Sequence, residues 1–152
     1  MLVGRLILKS APSPLCQDRL VCQERHEQEN LPHSADRIWP MLKACQVSYD
    51  KQTDSYALVP TPAVKALEGQ RLRVSGFALP LDGTDQTKHF LIGVNTPVCF
   101  YHPPGDPNEI IEVLADQAVT WGNNPMAVEG TFTLIDNSQM GVFFRLTDAK
   151  PA

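Results

Sequence analysis

The sequence predicts a mainly β protein whose core is a small, five-stranded, curled antiparallel barrel of the OB-like type, with one or two short helices before it. Two observations lead to this fold class. Five segments after residue 70 alternate apolar and polar residues, as half-buried strands do. A glycine lies within the first of these segments, where a sheet that closes on itself needs a bend. A small β-sandwich is the alternative.

The helical signals come first along the chain. Residues 9–33 are polar and without a steady period, and we expect a flexible or loosely helical tail over 1–33. A single globular domain is expected over 34–152, with its barrel core at about 61–148. Ser34 is the predicted N-cap of a short helix that ends near residue 45. Pro40 argues against one continuous helix, so two short turns are an equal alternative.

A hairpin and a capped helix are predicted next. Residues 47–59 alternate loosely around a polar turn, which favours a β-hairpin. Thr61 then has the position of an N-cap, Pro62 that of the first helical residue and Gly69 that of the terminator, which predicts a two-turn helix.

Strands dominate the remainder of the chain. Gly76, within the first of them, marks a predicted bulge or sharp bend where the sheet curls. The alternating segments are residues 71–79, 89–94, 109–114, 126–134 and 140–146.

Composition and charge exclude several functional classes. The chain has 152 residues, enough to bury a sizeable core, and a formal net charge of −4. An acidic balance argues against a general nucleic-acid binder. No apolar run approaches the roughly 20 residues that a membrane span needs. We therefore expect neither a nucleic-acid partner nor a membrane span.

The N-terminal residues do not form a convincing targeting signal. The apolar start of the chain is interrupted by Arg5 and ends at Lys9. Cys16 and Cys22 lack the small residues that precede a lipidated cysteine. With Cys45 they are either free thiols or, in an exported protein, the source of a disulfide, and both alternatives stay open.

The residues with the chemistry of a site lie between the second and third predicted strands. Cys99 precedes His102 by three positions in a proline-rich segment, and His89 begins the preceding strand. Cysteine thiolate and histidine nitrogen are the ligands that zinc prefers, with carboxylates as further candidates. A zinc site formed by Cys99, His102 and His89 is therefore one hypothesis. The simpler alternative is that Cys99 is a small buried apolar residue and that His102 only shapes a turn.

Two further interpretations of the same segment remain. Cys99 could be a nucleophile with a lowered thiol pKa, although no third, orienting residue is evident. The segment could also be a rigid surface that recognises a protein partner. Its candidate binding residues are then Tyr101, Pro103, Pro104, Asp106, Asn108 and Glu109. Phosphate-binding loops and serine-hydrolase motifs are absent from the sequence, so we expect no enzymatic activity.

Several short motifs, in order over about residues 61–148, resemble a bacterial family catalogued as domain of unknown function 3299. They are Leu67-Glu68-Gly69-Gln70, Val74-Ser75-Gly76-Phe77, Pro80-Leu81, Phe90-Leu91, Cys99, Pro103-Pro104, Pro107-Asn108-Glu109, Val113 and Val128-Glu129-Gly130.

The resemblance implies a small OB-like protein, exported to the periplasm or lipid-anchored, that accompanies a transport system and in some cases metal supply. It implies no enzymatic activity. The expected function is thus that of a non-enzymatic binding or accessory protein, with or without zinc, whose partner is a protein such as a transport-system component. A thiol-dependent enzyme or redox protein that uses Cys99 is the further alternative.

Overall fold

A computed structural model describes residues 34–82, 86–96, 105–120, 122 and 124–152. The tail predicted over 1–33 lies outside the described residues. The helices are α1 (Ile38–Lys43) and α2 (Pro62–Lys65), and a 3-10 turn spans Pro107–Glu109. The strands are β1 (Gln46–Asp50), β2 (Ser55–Val59), β3 (Arg71–Pro80), β4 (Gln86–Gly93), β5 (Ile110–Thr120), β6 (Met126–Asn137) and β7 (Val142–Pro151).

The last five of these strands form a closed barrel in the order β3-β4-β5-β7-β6, which confirms the predicted small β-barrel. The predicted barrel is antiparallel throughout, and the observed one is mixed, because β5 and β7 are parallel neighbours. The reason is the path of the chain. β7 turns back antiparallel along β6 and lies between β6 and β5, so it runs in the same direction as β5.

Gly76 is the position at which β3 changes partners. Its N-terminal part pairs with β6 as far as Gly76 opposite Met126, and from Phe77 onward β3 pairs with β4. A Cβ atom at position 76 would lie 2.5 Å from the Gly93 carbonyl oxygen and 3.1 Å from the ring of Trp39. Glycine is therefore needed for the close approach of backbones at a predicted bend, and the register passes through it without a bulge.

The barrel interior holds the apolar side chains that alternation predicts. The rings of Phe132 and Phe144 stack at 5.8 Å between their centroids. Residues of both helices pack against the same core. Its buried members include Trp39, Leu42, Val64, Val74, Phe90, Ile92, Ile111, Val113, Val128 and Leu146. Within the described ranges, no helix is long and apolar enough to cross a membrane.

The start of α1 differs from the prediction. The N-cap of α1 is Arg37, without a side-chain hydrogen bond, and so the prediction of Ser34 as N-cap is wrong. The Ser34 hydroxyl instead donates to the Ser75 carbonyl oxygen at 2.6 Å. The Asp36 carboxylate accepts from the backbone N–H groups of Ile38 (3.1 Å) and Ser75 (2.7 Å), and thereby ties the helix start to β3.

Pro40 is compatible with α1 because it is the third residue of the helix, where a backbone N–H would have no partner within the helix. The second predicted helix is present as α2 with the expected N-cap and terminating glycine, but it is shorter than the predicted two turns. Thr61 caps α2 by accepting from the Val64 N–H at 3.3 Å, and Gly69 has a φ of +80°. The predicted hairpin is β1–β2, which contacts the barrel through the Tyr56 N–H and the Ser138 carbonyl oxygen at 2.8 Å.

Candidate binding site at the base of the Cys99 segment

The predicted site residues divide into two groups. Cys99, Tyr101, His102, Pro103 and Pro104 lie outside the described residues. His89, Asp106, Asn108 and Glu109 lie within them.

Glu109 is the central residue of the described part. Its side chain is 10% exposed, and its two carboxylate oxygens have different partners. The Asn95 side-chain amide donates to Oε2 at 2.7 Å, and the Lys43 ammonium lies 3.4 Å from Oε1. A buried carboxylate needs such partners because its desolvation otherwise costs several kcal/mol. Glu109 thus joins α1 to the end of β4.

Backbone contacts of Glu109 complete the connection between the two flanks of residues 97–104. The Val94 N–H donates to the Glu109 carbonyl oxygen at 3.2 Å, and the Glu109 N–H donates to that of Asp106 at 2.8 Å. A Cβ atom at Gly105 would lie 2.6 Å from Glu109 Oε2 and 3.1 Å from the Asn95 amide nitrogen. The chain therefore leaves β4 and returns before β5 at nearly the same place.

Asn108 fixes this base to the end of α1. Its amide nitrogen donates to the carbonyl oxygen of Lys43 (3.1 Å), which the helix end leaves without a helical partner, and to that of Cys45 (3.2 Å), two residues beyond the helix. Pro107 is buried and packs beside Gly141, at the turn that leads into β7. The 3-10 turn is thereby held between α1, the hairpin and the barrel.

His89 belongs to a different cluster, on the outer face of the barrel. Its Nε2 atom lies 2.6 Å from Glu112 Oε1, and Arg145 donates to Glu112 Oε2 from Nε (2.9 Å) and from a terminal nitrogen (2.8 Å). Burial opposes the ionisation of Glu112, but the hydrogen bonds and charges of His89 and Arg145 outweigh it and lower its pKa. The cluster joins β4, β5 and β7.

The contacts around Glu109 and those around Glu112 lie at different positions along β4. His89 precedes the end of β4 at Gly93 by four residues, or roughly 13 Å at the usual rise of a strand. No group of three histidine, cysteine or acidic residues within the described ranges could hold a metal ion. Cys45 is a buried free thiol, and Cys16 and Cys22 lie outside the described residues.

Comparison with known proteins shows the family of this chain. Residues 17–143 match the family described as "Protein of unknown function (DUF3299)". The chain belongs to this family. It is also similar to a DUF3299 family protein from Pseudomonas aeruginosa PAO1 of known crystal structure, with 22% identity and a TM-score of 0.49 over 81% of this chain and 83% of that one. A comparison with curated proteins finds no match.

Membership of the DUF3299 family confirms the resemblance and leaves the activity to be argued from the residues. Glu109 and Asn108 were predicted from the sequence, whereas Asn95 and Lys43, which complete the base in this DUF3299 chain, were not. It also missed the contact of His89 with Glu112. Asn95 follows a predicted strand directly, which is the one signal that could have marked it as a residue at a strand end.

Proposed function

We propose that the protein is a non-enzymatic accessory protein that binds a protein partner through residues 97–104 and the flanking Asp106. The observation that carries the proposal is the base described above. Asn95 and Glu109, on either side of the segment, are joined by a 2.7 Å hydrogen bond in which the acceptor is buried. A segment whose two ends are fixed loses less conformational entropy when it binds a partner.

The composition of the segment supports the same function. It holds Tyr101 and three prolines, Pro97, Pro103 and Pro104, in eight residues. Proline restricts the backbone before binding, and tyrosine supplies a large contact area with a polar tip, which suits recognition of a protein surface.

A more specific form of this proposal adds zinc binding at Cys99 and His102. The Cys-x-x-His spacing supports it, with two ligands of the correct type. Among the residues predicted to complete the site, His89 is hydrogen-bonded to Glu112 and Glu109 to Asn95. These contacts favour partner recognition over a metal centre as the principal role of the segment.

The partner is tested with three forms of the protein as bait in an extract of the producing cells. They are the natural protein, a variant with residues 97–104 replaced by eight glycine and serine residues, and a control with the exposed hairpin residues 51–53 replaced likewise. A protein recovered with the natural form and the control but lost with the 97–104 variant supports the proposal. Identical recovery by all three forms contradicts it.

The metal is tested separately by elemental analysis of protein purified without chelator or histidine tag. Near-stoichiometric zinc that is lost in a Cys99→Ala, His102→Ala variant supports the more specific form. Equal metal content in the two samples contradicts it.

An extracytoplasmic location beside a transport system follows from the family resemblance, and we keep it as part of the proposal. Fractionation of the producing cells tests it, since recovery of the full chain solely with cytoplasmic markers contradicts the location.

A further inference from the structure

We infer that Glu109 is a positioning residue that holds together the two flanks of the proposed binding segment, through a set of contacts we name the Glu109 clasp. The clasp consists of Val94, Asn95, Gly105, Asp106 and Glu109, all among the described residues. The inference rests on the proposed function and deepens it. It assigns a role to a buried charged group at the end of the 3-10 turn.

The first argument concerns the cost of the buried carboxylate. An apolar residue at a strand start would fill the same space without desolvating a charge, and buried ion pairs are not in general a net gain in stability. Glu109 is 8% exposed, and its cationic partner Lys43 has a side chain that is 67% exposed. An ion pair with one solvated member contributes little to stability. The arrangement therefore has a directional role, which is to accept the Asn95 hydrogen bond.

The second argument concerns the closeness of the two flanks. Gly105 lies so near that even one methyl group there would contact Glu109 Cβ at 2.8 Å and Oε2 at 2.6 Å. The carboxylate thus lies beside Gly105, the first residue after the segment, and is hydrogen-bonded to Asn95, two residues before the segment begins. The Glu109 side chain therefore contacts both flanks of the segment.

The test uses a charge conflict and its rescue. In Asn95→Asp, two carboxylates face each other where an amide donated to a carboxylate. In the double variant Asn95→Asp, Glu109→Gln, the donor and acceptor are exchanged and the hydrogen bond is restored. Gly105→Ala disturbs the same contact from the other flank. Lys65→Met is the matched control, because it removes the charge of an exposed lysine in α2 that has no part in the base.

The first measurement is hydrogen exchange at the amides of Val94 and Glu109, whose acceptors are the carbonyl oxygens of Glu109 and Asp106. We expect Asn95→Asp and Gly105→Ala to raise both exchange rates at least about tenfold, because a charged hydrogen bond is lost or displaced. The double variant should return to within about threefold of the natural protein. The Phe132 amide, bonded to Gln70 in the barrel wall, should be unchanged in every folded variant.

The second measurement is recovery of any partner that depends on residues 97–104. The clasp has the inferred role if recovery falls in Asn95→Asp, returns in the double variant and is unaffected by Lys65→Met. Unchanged exchange at Val94 and Glu109 overturns the inference and leaves the proposed function standing. Accelerated exchange with full partner recovery also overturns it. If no partner depends on 97–104, the proposed function fails, and the exchange data still decide whether the clasp exists.

Discussion

Gly76 of β3 lies against Gly93 of β4 so closely that a Cβ atom at position 76 would be 2.5 Å from the Gly93 carbonyl oxygen. The obstacle is backbone on one side and the packed ring of Trp39 on the other, so neither can move easily. This contact occurs where β3 leaves β6 and begins to pair with β4. Closure of the barrel therefore depends on the absence of a side chain at position 76.

The first prediction is that Gly76→Ala destabilises the protein by about 1–3 kcal/mol, the usual cost of overpacking. Urea unfolding followed by circular dichroism measures it. Gly122→Ala is the matched control, because a Cβ atom there meets nothing within 4 Å. The control should remain within about 0.5 kcal/mol of the natural protein. A Gly76→Ala variant as stable as the control would show that the barrel closes without this close approach.

The second prediction concerns Glu112, whose side chain is 12% exposed and pairs with Arg145 and His89. Glu112→Gln removes the carboxylate that accepts both Arg145 hydrogen bonds, and we expect a loss of about 1–3 kcal/mol in the free energy of unfolding. Glu129→Gln breaks an exposed pair with Arg71 and should cost less than about 1 kcal/mol. Equal effects of the two substitutions would contradict the assigned difference in burial.

The third prediction follows from the lowered pKa of Glu112. Because the folded-state pKa lies below the ordinary value of 4.5, the ionised group stabilises the fold fully above that pH. The contribution is lost as the pH falls from 4.5 through the folded-state pKa. The difference in unfolding free energy between the natural protein and Glu112→Gln, measured in urea, should thus decrease as the pH falls below 4.5. A difference that grows as the pH falls below 4.5 would reverse the sign and reject this explanation.

The fourth prediction concerns Asn108, which donates to two carbonyl oxygens at the end of α1. Asn108→Asp keeps the shape of the side chain but replaces the donor with a negatively charged acceptor. We expect a loss of about 1–3 kcal/mol at pH 7, measured by thermal unfolding. The exposed Asn124→Asp introduces the same charge as a control and should be nearly neutral. Equal unfolding temperatures of the two variants would show that the Asn108 hydrogen bonds do not stabilise the base.

Local signals were sufficient for much of the fold. Alternation located the five barrel strands, and Thr61, Pro62 and Gly69 marked α2, because each of these signals depends on neighbours in sequence. The predicted third strand stopped at residue 114, whereas β5 continues to Thr120. Residues 116–118 are exposed, so the extension carries no apolar alternation to detect. Its pairing with Gln86 and Thr87 is what holds it.

Long-range relationships could not be obtained from one sequence. The parallel pairing of β5 with β7 depends on where the chain returns after β6. Glu112 contacts His89 and Arg145, which are 23 and 33 residues away in the sequence. Asn95 and Glu109 are hydrogen-bonded although 14 residues separate them. No local pattern records such contacts. The sequence therefore predicted the proposed binding segment, but it did not predict Asn95 and Lys43, two of the residues that form its base.

Photo-crosslinking in the producing cells tests the central claim most directly, with a photoreactive amino acid at Asp106 or at Lys150. Lys150 is exposed and lies eight residues beyond the start of β7, roughly 26 Å from the end that adjoins the base. We predict a discrete crosslinked protein from position 106, absent from position 150 and lost when residues 97–104 are replaced. Crosslinks that are the same from both positions, or that persist after replacement, would contradict the assignment of this segment as the partner-binding surface.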